Sequence, residues 1–269
     1  VVDLNSSMKH IMERELKNDS LFTIVGKDRV HPETTGHFVM FHEIISTIES
    51  PSIVSEISID LNEDNFTETK NCMINNFEFS SDDISFNCVQ NSLPFPTNKA
   101  IDKALSLVPF ENDFNKEILQ IKGLKNGEYD LFIQGVFIKN YSAKQLNSGV
   151  NLSNQINTPQ YKQALEVMNL CKDFRKISFQ LRKVPFIEFK YLRDYNGNNK
   201  LQEKQIHLNK KLKTIEGKPY HNYIKKSMDA YVETLPKQDS LNKQLRQVEN
   251  AIYKKNKPKT LEWRLTRRQ

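Results

Sequence analysis

Leu21-Phe22-Thr23-Ile24-Val25-Gly26-Lys27-Asp28-Arg29-Val30-His31-Pro32-Glu33-Thr34-Thr35-Gly36-His37 is the stretch on which the reading of the fold turns. Its first five residues form a short β-prone run closed by Gly26, which reads as a buried strand. Pro32 confines His31 to extended conformations, so the residues around it read as a loop. Beyond the loop, Phe38, Phe41, Ile45 and Ile48 recur at helical spacing until Pro51 stops them. Upstream, Leu4, Met8, Ile11, Met12 and Leu16 lay out one amphipathic helix between Asp3 and Lys17, with Asn5 or Ser6 as its N-cap. Helix, strand, loop, helix is a fragment of α/β architecture.

From Ile53 the apolar period changes from 3.6 to 2. Ile53, Ser55, Ile57, Ile59 and Leu61 alternate with polar neighbours, and Ile84, Phe86 and Cys88 do so again. After Leu93-Pro94-Phe95-Pro96 come Leu119 and Ile121, then Tyr129, Leu131 and Ile133, with Asn126-Gly127 and Gln134-Gly135 as turns. Sequential antiparallel hairpins are expected, with a short helix near residues 100–108. Thr158-Pro159 then supplies an N-cap and a first-turn proline for a long helix through Tyr161, Leu165, Met168, Cys171 and Phe174, which Pro185 ends or kinks. The remainder reads as polar helical stretches with breaks near Gly217-Lys218-Pro219 and Leu235-Pro236. The expected division is residues 1–50, an α/β piece; 51–155, β-rich; and 156–269, helical.

The 269 residues suffice for one large domain or two modest ones. Lys and Arg number 39 against 33 Asp and Glu, an excess too diluted by acids to imply a nucleic-acid partner. Residues 201–269 carry 17 Lys/Arg against 7 Asp/Glu, which reads as a solvated helical face because no nucleic-acid or phosphate-binding motif accompanies it. No apolar run approaches the roughly 18 residues of a membrane span. No basic n-region or apolar h-region follows Val1, so no signal peptide is read. Cys72, Cys88 and Cys171 lack zinc-site spacing and leave room for at most one bridge, Cys72 to Cys88. The aromatics Phe77, Phe79, Phe86, Phe95 and Tyr129 fall mostly on the inward phase, which favours core packing over a carbohydrate-binding surface.

The chemistry concentrates at Asp28 and His31. An Asp three residues before a His, in a loop between strand and helix, can fold its carboxylate onto the imidazole Nδ1 and leave Nε2 free to face a nucleophile. That is two-thirds of a hydrolytic triad. The competing reading is a turn in which Asp28 caps a helix and His31 is merely exposed. His37 and His42 are expected to be packing or surface residues, and His10, His207 and His221 to be solvent-exposed.

Asp28-Arg29-Val30-His31-Pro32, followed by Gly36-His37 and an apolar helix and preceded by Val2-Asp3-Leu4-Asn5, resembles the last conserved block of the SGNH, or GDSL-type, hydrolases. A looser likeness to the C-terminal extension of some GDSL-type lipases runs through Leu93-Pro94-Phe95-Pro96, Val108-Pro109-Phe110, Asn115-Lys116-Glu117-Ile118-Leu119, Gly149-Val150-Asn151-Leu152 and Thr158-Pro159-Gln160-Tyr161. The resemblance implies that residues 1–50 are the C-terminal helix–strand–helix piece of an SGNH, flavodoxin-like domain, followed by an antiparallel β region and a helical tail. It implies that Asp28 and His31 are catalytic in a Ser-His-Asp triad. The family's Gly-Asp-Ser block and its Gly and Asn oxyanion donors are absent, and Ser20 and Ser240 have the wrong local setting.

The expected function is therefore that of the C-terminal part of a serine ester hydrolase whose serine lies outside this chain. It would act on a small-molecule, carbohydrate or lipid ester, without metal or organic cofactor, and with no nucleic-acid partner. The resemblance alone suggests export, secreted or periplasmic, and leaves oligomeric state open. The alternative is a non-catalytic binding or structural protein whose β region is the working surface.

Overall fold

Why the segment around Asp28 takes its shape begins with the helices on either side of it. The computed structural model describes residues 1–26, 28–62, 66–80, 82–97 and 101–268. Helix α1 spans Leu4–Glu15, and its cap is Asp3, whose carboxylate accepts from the Asn5 and Ser6 N–H groups. The cap thus lies two to three residues earlier than expected, at the residue whose acidic side chain can reach those unsatisfied donors. Helix α2 spans Thr34–Thr47 and buries Gly36, Phe38 and Val39.

Leu21–Val25 is not a strand. Ile24 is buried, but the local backbone bonds are irregular: the Ile24 N–H reaches Met12 Sδ at 3.2 Å and the Val25 N–H reaches Thr23 Oγ1 at 3.3 Å. A strand needs a ladder partner, and none of the described segments pairs with this one. Instead the segment lies against the start of α2, at a distance only glycine permits. A Cβ on Gly36 would sit 2.6 Å from the Ile24 carbonyl oxygen and 2.7 Å from Pro32 Cβ.

The β region follows as β1 (Ile53–Asp60), β2 (Phe66–Lys70), β3 (Cys72–Phe79) and β4 (Asp83–Gln90). Short helices α3 (Asp102–Leu105) and α4 (Phe110–Phe114) precede β5 (Lys116–Lys122), β6 (Glu128–Ile133) and β7 (Val136–Ser142). Helix α5 (Ala143–Ser148) and strand β8 (Val150–Asn151) come next, and α6 runs over Pro159–Leu181, with the Thr158 hydroxyl accepting from the Tyr161 N–H. Helices α7 (Lys183–Tyr191), α8 (Leu201–Lys213), α9 (His221–Thr234) and α10 (Gln238–Lys255) precede the last strand, β9 (Thr260–Arg267).

Among the described residues these strands form two sheets, ordered β2-β1-β5-β8 and β3-β4-β9-β6-β7. The fold is mixed α/β. Sequential hairpins account for β1–β2, β3–β4 and β6–β7, but β1 and β5 pair in parallel and β9 enters between β4 and β6. The alternating inward residues of both sheets make one core, from Ile57, Ile59, Leu119 and Ile121 to Phe86, Leu131, Ile133 and Trp263. Trp263 stacks on Phe86 with ring centroids 5.8 Å apart. The expected wholly helical tail is corrected by β9, because Leu261, Trp263 and Leu265 alternate into that core.

By packing, the chain divides into Val1–Leu165 with Asn256–Gln269, and Glu166–Lys255. These limits differ from the sequence boundaries at 50 and 155. Phe38 and Phe41 of α2 pack on Phe95 and Phe110, and Ile11, Ile24 and Val39 share a cluster with Ala104, Leu107 and Val108. Residues 1–50 therefore share their core with residues 95–114. The second unit has its own core of Val184, Ile187, Leu208, Ile224, Met228 and Tyr231. Pro185 falls in the first turn of α7, where its missing N–H costs no helical bond.

Candidate functional site

The loop from Gly26 to His31 closes on itself. The Gly26 N–H donates to the His31 carbonyl at 2.7 Å and the Arg29 N–H to the Gly26 carbonyl at 2.9 Å. Arg29 takes a left-handed conformation at φ 56°, unusual for a side-chain-bearing residue. Lys27 lies outside the described residues.

Within this turn Asp28 receives three hydrogen bonds. Its Oδ1 accepts from the Val30 and His31 N–H groups, both at 3.0 Å, and its Oδ2 lies 2.6 Å from His31 Nδ1. The Asp28 carboxyl is held well below the ordinary carboxylate range, first by the His31 backbone N–H, then by the imidazole, then by the Val30 N–H. It is therefore an anion throughout the neutral range. The imidazole is bound on its Nδ1 side only, because the side chain is 81% exposed and Nε2 has no hydrogen-bond partner among the described residues. The pair thus provides an oriented imidazole whose free nitrogen meets solvent, in an arrangement that can accept a proton from a hydroxyl brought to Nε2.

No serine or cysteine is hydrogen-bonded to that ring among the described residues, and Ser20 and Ser240 are both exposed. The described residues hold no cluster of three metal-ligating side chains. No helix of the described residues is long and apolar enough to cross a membrane.

Two further polar sites have no counterpart in the sequence reading. His42 Nε2 lies 2.9 Å from Asp113 Oδ2 and its ring meets Phe114 edge-on, so this histidine ties α2 to α4. The partners are 71 residues apart, and no local spacing announces them. Glu117 is buried in β5, where Oε1 accepts from the Gln90 amide at 2.7 Å and the Gln160 amide at 2.6 Å. Burial pushes its carboxyl above the ordinary range, against the pull of those two amides. A glutamate at the start of an alternating strand could have been singled out, since Ser55 and Glu117 occupy the inward phase beside isoleucines and leucines.

Of the remaining histidines, His10 and His37 are exposed, while His207 and His221 are half-buried, against expectation for these last two. His207 packs on Tyr195 with ring centroids 5.0 Å apart. Cys72 and Cys88 are free thiols rather than a bridge. They sit diagonally across β3 and β4, Cys72 opposite Gln90 and Cys88 opposite Ile74. The hydrogen bond to Cys72 and burial together hold the Cys88 thiol above its ordinary range. Of the aromatics expected inside, Phe86 and Tyr129 are buried, whereas Phe79 and Phe95 are exposed.

No family model matches the sequence, and no curated protein matches it. A solved structure of a gut microbial diltiazem-metabolizing enzyme is similar to 98% of this chain, with a TM-score of 0.82 and 25% sequence identity, and this chain spans 61% of that protein's length.

Proposed function

We propose that the chain is the C-terminal part of a serine ester hydrolase of the SGNH, or GDSL, type. Residues 1–50 close the hydrolase domain and supply its Asp28 and His31, and a serine outside this chain supplies the nucleophile. The observation that carries this reading is the 2.6 Å contact between Asp28 Oδ2 and His31 Nδ1 with Nε2 left open. In the reaction, Asp28 fixes the imidazole tautomer and stabilises the imidazolium. His31 Nε2 takes the serine proton as the hydroxyl attacks the ester carbonyl, then returns it to the departing alcohol. Water, deprotonated by the same imidazole, releases the acid from the acyl-enzyme. The steps balance without metal or organic cofactor.

The likeness to a diltiazem-metabolizing enzyme supports an enzymatic role, and diltiazem itself carries an ester. In the full-length protein, His31→Ala is expected to lower kcat for p-nitrophenyl acetate on the order of 10⁶-fold. A fluorophosphonate probe is expected to label one serine, and that serine to lie outside residues 1–269. Near-normal turnover by His31→Ala would overturn the assignment.

A further inference from the structure

The outer face of the five-stranded sheet carries a groove that the Asp28–His31 reading does not use. Its volume is about 370 Å³, and Asp130, Phe132, Gly135, Glu262, Arg264 and Thr266 line it. That volume lies at the lower end of the range for small-molecule sites, about 300–1,000 Å³. The lining residues are not scattered. Register sets Phe132 beside Arg264 and Asp130 beside Thr266 across β6 and β9, while Ser85 and Asn87 of β4 stand opposite Arg264 and Glu262. Each is on the outward phase of its strand, opposite in facing to Leu131, Trp263 and Phe86 in the core.

Two properties of this face select a ligand. The first is an aromatic platform: Phe132 and Phe137 meet at 5.7 Å, edge to face, and Phe137 remains 50% exposed. Gln134 and Gly135, both with positive φ, form the tight turn that folds β7 back to bring Phe137 beside Phe132. The second is charge that is largely cancelled around the groove itself. Arg264 Nε bonds Asp83 Oδ1 at 2.9 Å, the Thr266 hydroxyl donates to the same oxygen, and Asp130 is shared between Asn140 Nδ2 at 3.0 Å and Arg268 Nε at 3.4 Å. Around the groove the Arg264 and Arg268 guanidinium groups thus stand beside the Asp83, Asp130 and Glu262 carboxylates, while Glu78, opposite Ser85, and Glu128, in β6, lie on the same outward phase beyond it. Such a face repels polyanions, and the Glu262 carboxylate is a hydrogen-bond acceptor for hydroxyl groups.

An exposed ring beside a dense, nearly neutral array of donors and acceptors is complementary to an uncharged polyhydroxylated ring, with a C–H face for Phe137 and hydroxyls for Glu262, Asp130 and Arg264. We infer that this groove binds a neutral saccharide, one or two sugar rings long. The inference stands on the sheet face alone and is independent of the ester-hydrolase reading.

The test is affinity electrophoresis of the 269-residue chain through gels containing xylan, glucomannan or mixed-linkage β-glucan, with polygalacturonate and chitosan as the anionic and cationic comparisons. Retardation by at least one neutral polysaccharide is expected, with at least tenfold weaker binding for Phe137→Ala and for Glu262→Gln. Phe137 is half exposed and Glu262 is exposed, so both variants should fold, which unchanged thermal unfolding would verify. Tyr253→Ala, in α10, should leave retardation unchanged. Absence of retardation in all three neutral gels overturns the inference. So does retardation that both variants retain, or stronger retardation by either charged polymer.

Discussion

At Asp28 three donors converge on one carboxylate, and only one of them is a side chain. Replacing it by asparagine keeps an oxygen for the backbone donors but turns an N–H toward His31 Nδ1, which favours the wrong tautomer. On the proposed mechanism, Asp28→Asn in the full-length protein is expected to cost on the order of 10⁴ in kcat, less than His31→Ala, measured on the same aryl ester. Glu117 presents the opposite electrostatics. Its carboxyl titrates above its unfolded value, so its contribution to stability is complete below the ordinary carboxylate pKa and declines as pH rises toward the folded value. Glu117→Gln keeps an acceptor for Gln90 and Gln160 without a charge to bury. The variant should match the native protein at acidic pH and be the more stable of the two at pH 8, read by urea unfolding at the two pH values. A variant less stable than the native protein at pH 8 alone would show that the charge is retained there and needed.

Among the elements, β9 is the one whose loss should matter most to the sandwich. It pairs with β4 on one side and β6 on the other, and it carries Leu261, Trp263 and Leu265 into the core. Trp263→Ala is expected to cost about 3–5 kcal/mol, the range for removing a buried large aromatic. Ending the chain before Thr260 removes the whole strand and leaves β4 and β6 with unpaired edges facing each other. That truncated protein should lose the near-ultraviolet signal of the β unit and become protease-sensitive within residues 53–142. The helix pair α1–α2 makes a contrasting case, held by contacts with residues 95–114 rather than by a ladder. Gly36→Ala should destabilise it, because the added methyl meets the Ile24 carbonyl and Pro32 Cβ, and overpacking of this kind costs about 1–3 kcal/mol.

For the whole molecule, the proposed chemistry divides between this chain and a segment outside it. The isolated 269 residues hold an oriented imidazole but, in this reading, no nucleophile or oxyanion donors, and removing such donors alone costs several kcal/mol of transition-state stabilisation. Purified chain should hydrolyse p-nitrophenyl acetate no faster than free imidazole at equal concentration. Turnover abolished by a serine-directed inhibitor would reveal a nucleophile within the chain and require a different assignment.

Local patterns were enough to locate several of the helices and strands here. The 3.6 period located α1 and α2, Thr158-Pro159 located the start of α6, and the switch to a period of 2 located β1, β4 and β6. The Asp28–His31 contact was legible for the same reason, since three residues ending at a proline span one turn. Pairing was not legible, because a period of 2 states that a strand has an inner face and says nothing of its neighbours. Leu261, Trp263 and Leu265 carry that period openly, yet lie in a region whose surroundings read as helical. Leu21–Val25 has the composition of a strand and lacks a partner among the described residues, so it remains irregular. Tertiary structure alone decided that β1 and β5 run parallel, that β9 fills the gap between β4 and β6, and that His42 meets Asp113. Each of these is a contact between segments distant in sequence, selected by the joint burial of apolar faces and the satisfaction of backbone donors, which no single segment encodes.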